Sequence, residues 1–506
     1  MTIERCGPDG GRLILRSYSR LDETCSDVRV PADAAELAQL LIEARTQSRR
    51  VTFRAGGWSL HDQSLNDDMV ISLENLSRIE PVNVAEQQVT VGAAATWSDV
   101  VSATLGHDLV PYVVPSAQQI TCGGSLATDG ISRYSPSFGS ESRHVAALEL
   151  LTVGQTEPRF IPRPDPDDHD SDDARLFRAV IGGFGYLGVV TRITYDLLSV
   201  RNVGPSRARA NQKVRMATEL WAYESFTELI DKQMELLVEP IEEDLEHWPM
   251  PKEADPEAYP AVYSVVLPHR GNGRGAVYRS VYTRGEEGPP YIIYQPRIWF
   301  RKWMTLLLTM SSIKKLVNWA VWRSMKADAR AEQRFVNDVH DYMFFMDGQV
   351  LGKRWLEDPP HRLLPLIQQT FVVHYQKAGE FLDVIPELLA AYDLEPTVFE
   401  FLFMPRDRIL MSASYDMPGF AITIAFQDIE SERRQAKAIA AMKELSRVVH
   451  EDFDGRIHFT KNVYAEPEVV AAMYAGRASQ FLELKRQLDP EGVLRNRFLD
   501  RMLPEV

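Results

Sequence analysis

Short apolar runs broken by glycine alternate with stretches of helical period through the N-terminal part of the chain. In "VPADAAELAQLLIEARTQSRR", Leu37, Leu40, Leu41 and Ala44 fall on one face, which predicts an amphipathic helix. Val51–Phe53, "MVISL" (Met69–Leu73), "QVTVGAAA" (Gln88–Ala95) and "HVAALELLTV" (His144–Val153) read as strands. "TWSDVVSATLGHDL" reads as a helix with Thr96 or Ser98 as its cap and its end near Gly106. The acidic stretch Arg163–Arg175 reads as a solvated loop. From about Arg201 the pattern changes. "AVYSVVLPHR" and "AITIAFQDI" suggest an antiparallel sheet, and the closing residues are mostly helical around one strand near Ile457–Phe459.

Three strands meet glycine clusters: Arg54–Ser59, Val114–Gly139 and Ile181–Leu197. Paired glycines let the backbone take positive φ and turn N–H groups outward, forming a nest that fits an anion such as pyrophosphate. A single cluster of this kind is equally an ordinary tight turn; three beside strands ask for a common cause.

The 506 residues leave room for two or more domains. A net charge of −15 argues against general nucleic-acid binding. The three cysteines, Cys6, Cys25 and Cys122, lack paired spacing, so neither a disulfide framework nor a metal site is expected, and a reducing cytoplasm is. The N-terminal stretch has no signal-peptide run, and no segment reaches the ~18 uncharged apolar residues of a membrane span.

Taken in order and spacing, "RVTFRAGGWS", "VPSAQQITCGGSLATDG", "GGFGYLGVVT" and the closing "LKRQLDPEGVLRN" resemble the flavoproteins of the vanillyl-alcohol oxidase type, which carry a p-cresol methylhydroxylase-type FAD domain. The resemblance implies an α+β fold: a two-subdomain FAD-binding domain at 1–198, an inserted α+β cap with an antiparallel sheet at 199–434, and a segment returning to the FAD domain at 435–506. It implies that Arg54, Ala55, Gly56, Gly57, Trp58 and Ser59 cradle the FAD pyrophosphate. Pro115, Thr121, Cys122, Gly123, Gly124 and Ser125, with Asp129, Gly130 and Ser135 behind them, would close over pyrophosphate and flavin. Gly188, Val189 and Val190 would lie by the adenine. Trp58 stands where many relatives carry a histidine bonded to the flavin, and Ala117 where others carry a cysteine, so FAD is expected to be held without a covalent link. Cys122 is out of that register and reads as a packed thiol.

Further on, "QQTFVVH" (Gln368–His374), "VFEFLFMP" (Val398–Pro405), "MPGFAITIAF" (Met417–Phe426) and "RIHFTKN" (Arg456–Asn462) resemble the family's oxidases of lipid-linked sugars. That implies Lys461 beside flavin and substrate, Thr423 lining the substrate cavity and Gln368 as a substrate-side polar group. A fixed cation stabilises the charge that reduced flavin gathers, and a lysine of lowered pKa moves a proton. Read without the family, Lys461 is an ordinary surface lysine after a strand. Two departures stand out. Glu400 occupies the place of a second lysine and would repel a phosphate. "DGISRYSPSFG" replaces a histidine-rich stretch and looks more like the side-chain double-bond sterol reductases. The expected function is oxidation of an alcohol or sugar, free or lipid-linked, by hydride transfer to flavin N5, with an electron acceptor the sequence does not name. The alternatives are flavin-dependent C=C reduction and a flavin-binding partner without turnover.

Pro296–Lys326 puts Trp299, Trp303, Leu306, Met310, Ile313 and Val317 at helical spacing, among seven basic residues and no acid. An interfacial helix on anionic lipid has this composition, and so has a cap helix with its lysines in water. A peripheral membrane contact through 296–326 is therefore an expectation.

Overall fold

Capping side chains and glycines mark many of the junctions between strands and helices. The structure, a computed structural model, describes residues 4–7, 11–204, 212–237, 251–255, 258–267, 273–291, 314–345, 365–427, 429 and 431–503.

The first sheet is built from β1 (Arg5–Cys6), β2 (Arg12–Arg16), β3 (Glu23–Arg29), β4 (Val51–Arg54) and β5 (Met69–Ser72), in the order β1-β2-β3-β5-β4. β1, β2 and β3 are antiparallel; β3, β5 and β4 are parallel. A parallel strand cannot follow its neighbour through a tight turn. The predicted helix, Ala34–Thr46, begins the connection from β3 to β4. Asp33 caps it by accepting from Ala35 and Glu36, and Leu37, Ala38, Leu41 and Ala44 are its buried face. The C-terminal segment joins this layer: Val51 N–H donates to the Val493 carbonyl (2.7 Å) and Arg495 N–H to that of Val51 (3.2 Å).

The second sheet holds β6 (Gln88–Gly92), β7 (Leu109–Pro111), β8 (Val145–Leu151), β9 (Arg159–Pro162) and β10 (Val189–Ser199), antiparallel in the order β6-β10-β8-β9, with β7 on the far end of β10. The helix Trp97–Leu105 has Thr96 as its cap and Gly106 at its end, as expected. The acidic stretch 163–175 is not all loop. A helix, Asp172–Val180, starts inside it, because Ser171 accepts from Ala174 N–H and Asp172 and Asp173 complement the positive end of the helix.

The third sheet comprises β11 (Val214–Tyr223), β12 (Ala261–Val266), β13 (Gly275–Arg284), β14 (Phe335–Asp338), β15 (Ile367–His374), β16 (Val398–Met404), β17 (Gly419–Phe426) and β18 (Arg456–His458), in the order β14-β11-β13-β12-β16-β17-β15-β18. All its neighbours are antiparallel. Alternation along a strand sends successive side chains to opposite faces. Ser264 and Gln369 face helices, meeting Gln233 (2.7 Å) and Ser446 (2.8 Å). Tyr263 and Thr370, each one residue away, face a cavity.

Two expectations need correction. Cys6 and Cys25 form a disulfide, with Cα atoms 6.0 Å apart. β1 and β3 both border β2, so the topology joins cysteines whose spacing suggested no pairing. This removes the ground on which a reducing compartment was expected. Of 296–326, residues 296–313 lie outside the described residues, and with them every member of the predicted apolar stripe but Val317, which is half-buried. A helix does run over Lys314–Arg330. Among the described residues no helix is long and apolar enough to cross a membrane, and no three His, Cys, Asp or Glu side chains gather as a metal site.

Candidate active site

One cavity receives the ends of all three glycine clusters. Ala55, Gly56, Gly57, Trp58 and Ser59 line it from the end of β4. Pro115, Thr121, Gly123, Gly124, Ser125 and Gly130 line it from the second cluster, and Gly188, Val189 and Val190 from the start of β10. Thr423 and Lys461 complete it from the third sheet. Arg54, Cys122, Asp129, Ser135 and Gln368 are not lining residues.

The first turn has the form of an anion cradle. Gly57 takes φ +70°, and a Cβ there would come within 2.5 Å of the Arg54 guanidinium. Arg54 thus lies beneath the turn, held by Ser64 Oγ (3.0 Å) and the Arg16 carbonyl (3.0 Å). Burial pulls its pKa down to about 10, which leaves it a cation at neutral pH. Among the described residues the N–H groups of Gly56, Gly57 and Ser59 donate to no protein acceptor. Free donors over a buried cation suit a pyrophosphate. The second turn is close-packed: a Cβ on Gly123 would stand 2.7 Å from the Ala93 side chain. These features fit FAD. Trp58 stacks on Tyr18 with ring centroids 4.6 Å apart while also lining the cavity.

The remaining residues of the second cluster stand behind the lining. Cys122 is fully buried in the core, and burial raises its thiol pKa. Ser135 Oγ accepts from Ser132 N–H (3.0 Å), fixing the bend after Gly130. Asp129 accepts from Ser142 N–H (2.9 Å), and burial, then Asp407, push its carboxyl up to about 7. Glu141, beside Gly130, accepts from the Tyr195 hydroxyl (2.5 Å) and is pushed up to about 8 by burial. Burial thus disfavours the charged form of both acids behind the lining.

The substrate side is set by strand register. Glu400 on β16 lies opposite Thr423 on β17, Thr423 opposite Thr370 on β15, and Thr370 opposite His458 on β18. Thr370 and Thr423 share a hydrogen bond of 2.8 Å. Gln368 falls opposite Ala425 instead; it is buried, and its backbone pairs with Asn462 (2.9 Å). Two residues of register thus separate the polar group named from sequence from Thr370, which lines the cavity. Lys461 follows β18. Gln63 Nε2 donates to its carbonyl (3.1 Å), and its open surface faces the cavity. Burial lowers the pKa of Lys461 and Glu400 opposes that shift. Burial raises Glu400, opposed by Lys461 and then Arg133. His458 is pushed down to about 4 by burial and then Lys461, so it is neutral at pH 7.

Sequence reasoning missed Arg133; Glu400, noted from sequence only as standing in place of a second lysine, lines the cavity. Arg133 lines the cavity between aromatic rings, 4.0 Å from that of Tyr342, 4.1 Å from Phe345 and 5.2 Å from Tyr263. It donates to the carbonyls of Tyr342 and Met343. No local pattern around Arg133 announces this, because its partners are remote in the chain. Thr370 carried a usable signal, since it sits two residues along from Gln368 on the same face.

Residues 26–157 match the model of an FAD binding domain family, and residues 360–502 that of D-arabinono-1,4-lactone oxidase. The chain is similar to decaprenylphosphoryl-beta-D-ribose oxidase of Mycolicibacterium smegmatis, 23% identical over 496 residues that cover 95% of each protein. It is 31% identical to cytokinin dehydrogenase 2 of Oryza sativa subsp. japonica over 36% of this chain and 32% of that one. L-gulonolactone oxidase of Bos taurus is 27% identical over 32% of this chain and 35% of its own length.

Proposed function

We propose that this chain, an FAD-dependent oxidoreductase, oxidises an alcohol carbon of a sugar or sugar-like substrate, free or lipid-linked. One observation carries this reading: Lys461, Glu400 and the Thr370–Thr423 pair face the same cavity as the glycine turns. When bound, FAD supplies the hydride acceptor, flavin N5.

The chain's residues supply the proton chemistry and the grip. The two threonine hydroxyls, each a donor and an acceptor, orient a polyol. Lys461, its pKa lowered by burial, takes the hydroxyl proton in its neutral form. It then stands as an ammonium with Glu400 as counter-ion. Arg133, Tyr263 and Phe345 line the same cavity. The names of two similar proteins, a lipid-linked ribose oxidase and a gulonolactone oxidase, support a sugar-derived substrate. Mixing the oxidised enzyme anaerobically with a panel of sugars, polyols and lipid-linked sugars tests the proposal. Bleaching of the flavin by a member of the panel is the expected result; a flavin that stays oxidised throughout argues for a binding protein without turnover.

The pH dependence has a definite sign. Only neutral Lys461 accepts a proton, so flavin reduction should rise with pH along a limb set by its pKa. Glu400 holds that pKa up. Glu400→Gln removes the carboxylate and should move the limb to lower pH, read by stopped-flow reduction across the pH range. A limb that stays put or moves upward would remove Lys461 as the base.

FAD is held without a covalent bond in this reading, because Trp58 and Ala117 offer no nucleophile at the two linkage positions. Acid precipitation should leave a yellow supernatant over a colourless pellet. Flavin retained in the washed pellet would contradict it.

A further inference from the structure

On the helix Lys314–Arg330, Asn318, Trp322 and Met325 are buried, and the helix packs against β11 and β13. The opposite side carries Lys315, Leu316, Trp319, Ala320 and Arg323, all exposed and spaced i, i+1, i+4, i+5 and i+8. Leu316 is 65% exposed and Trp319 49%. The other exposed large apolar side chains among the described residues, Val30, Val84 and Phe160, are scattered singly, which is ordinary for a surface. Leu316 and Trp319 instead form a pair with cations on both sides. Lys315 keeps 85% of its side chain exposed, and Glu395 lies 4.0 Å from its ammonium. The Arg323 guanidinium lies 5.6 Å from the Trp319 ring. The helix's own acid, Asp328, is half-buried and burial raises its pKa. Lys326 is taken up by Glu224 on the side toward the sheet.

We infer that this face docks on an anionic lipid surface. An indole and a leucine between cations are what an interfacial helix presents to headgroups and acyl boundary. The chain's charge of −15 repels such a surface at long range, but screening confines that repulsion to a Debye length of ~8 Å at physiological salt, so the local basic face governs close contact. A protein partner of standard size needs about 800 Å² of complementary surface. The exposed apolar material here is two side chains, which suits shallow insertion better. The exposed pair is not the stripe expected from the sequence, so this inference stands on Lys315–Arg323 alone.

The test uses the FAD-loaded full chain and sedimentation with two vesicle types, phosphatidylglycerol mixed with phosphatidylcholine, and phosphatidylcholine alone. Binding to the anionic vesicles is expected, weakened by high salt. Leu316→Ser with Trp319→Ser should lower the bound fraction about tenfold, while the flavin spectrum and flavin reduction in solution stay unchanged. No binding to anionic vesicles, equal binding to neutral ones, or binding indifferent to the double substitution would each overturn the inference. So would a concentration-dependent dimer in sedimentation velocity that the double variant abolishes, since the face would then belong to a second copy.

Discussion

Lys461→Met should leave FAD bound and slow flavin reduction by substrate about a hundredfold. Removing one preorganised group from a site of developing charge costs on the order of 3 kcal/mol, which is that factor in rate. Methionine keeps much of the volume, and the hydrogen bond from Gln63 reaches the backbone carbonyl, so the local fold should survive. The spectrum of the oxidised flavin reports binding, and anaerobic stopped-flow reports chemistry. Reduction near the wild-type rate would make Lys461 a bystander. In the proposed reaction Lys461 has two roles: neutral, it takes the proton; charged, it stabilises the product state. Methionine removes both, whereas Glu400→Gln changes only where the lysine titrates.

Gly57→Val should yield a protein that binds FAD at least tenfold more weakly and purifies largely colourless. At φ +70° a β-branched residue is strained by about 1–3 kcal/mol. Its Cβ would also press on Arg54, displacing the cation beneath the turn. Gly106→Ala is the matched control: φ is −62°, and a Cβ there meets nothing within 4 Å. That variant should keep its flavin. Titration of the apo proteins with FAD, followed by quenching of flavin fluorescence, gives the affinities. Wild-type affinity in Gly57→Val would mean that the turn is punctuation only.

These two residues differ in how they could be found. Gly57 announces itself, because a positive φ over an arginine leaves glycine little competition and the strand before it is plain. Thr96 as a cap and the buried face of Ala34–Thr46 were legible for the same reason: their cause is local. The substrate side was less so. Whether β15 presents Gln368 or Thr370 depends on its pairing with β17, which the apolar run "FVVH" does not fix. Arg133 depends on Tyr263, Tyr342 and Phe345, and Cys6 on a sheet order that sets it beside Cys25. The start of the helix at Asp172 was hidden in a run of acids whose charge suggested solvent while their position served a helix N-terminus.

In the proposed reaction a carbon–hydrogen bond of an alcohol is broken in this cavity with FAD as acceptor. The direct measurement is anaerobic stopped-flow reduction with the most active alcohol of the panel and with the same compound deuterated at the oxidised carbon. Loss of the oxidised flavin band is expected at a rate severalfold lower for the deuterated compound, with both rates falling together in Lys461→Met. An enzyme whose flavin no alcohol bleaches, but whose pre-reduced flavin is reoxidised anaerobically by an activated alkene, would contradict it and establish the opposite direction of transfer.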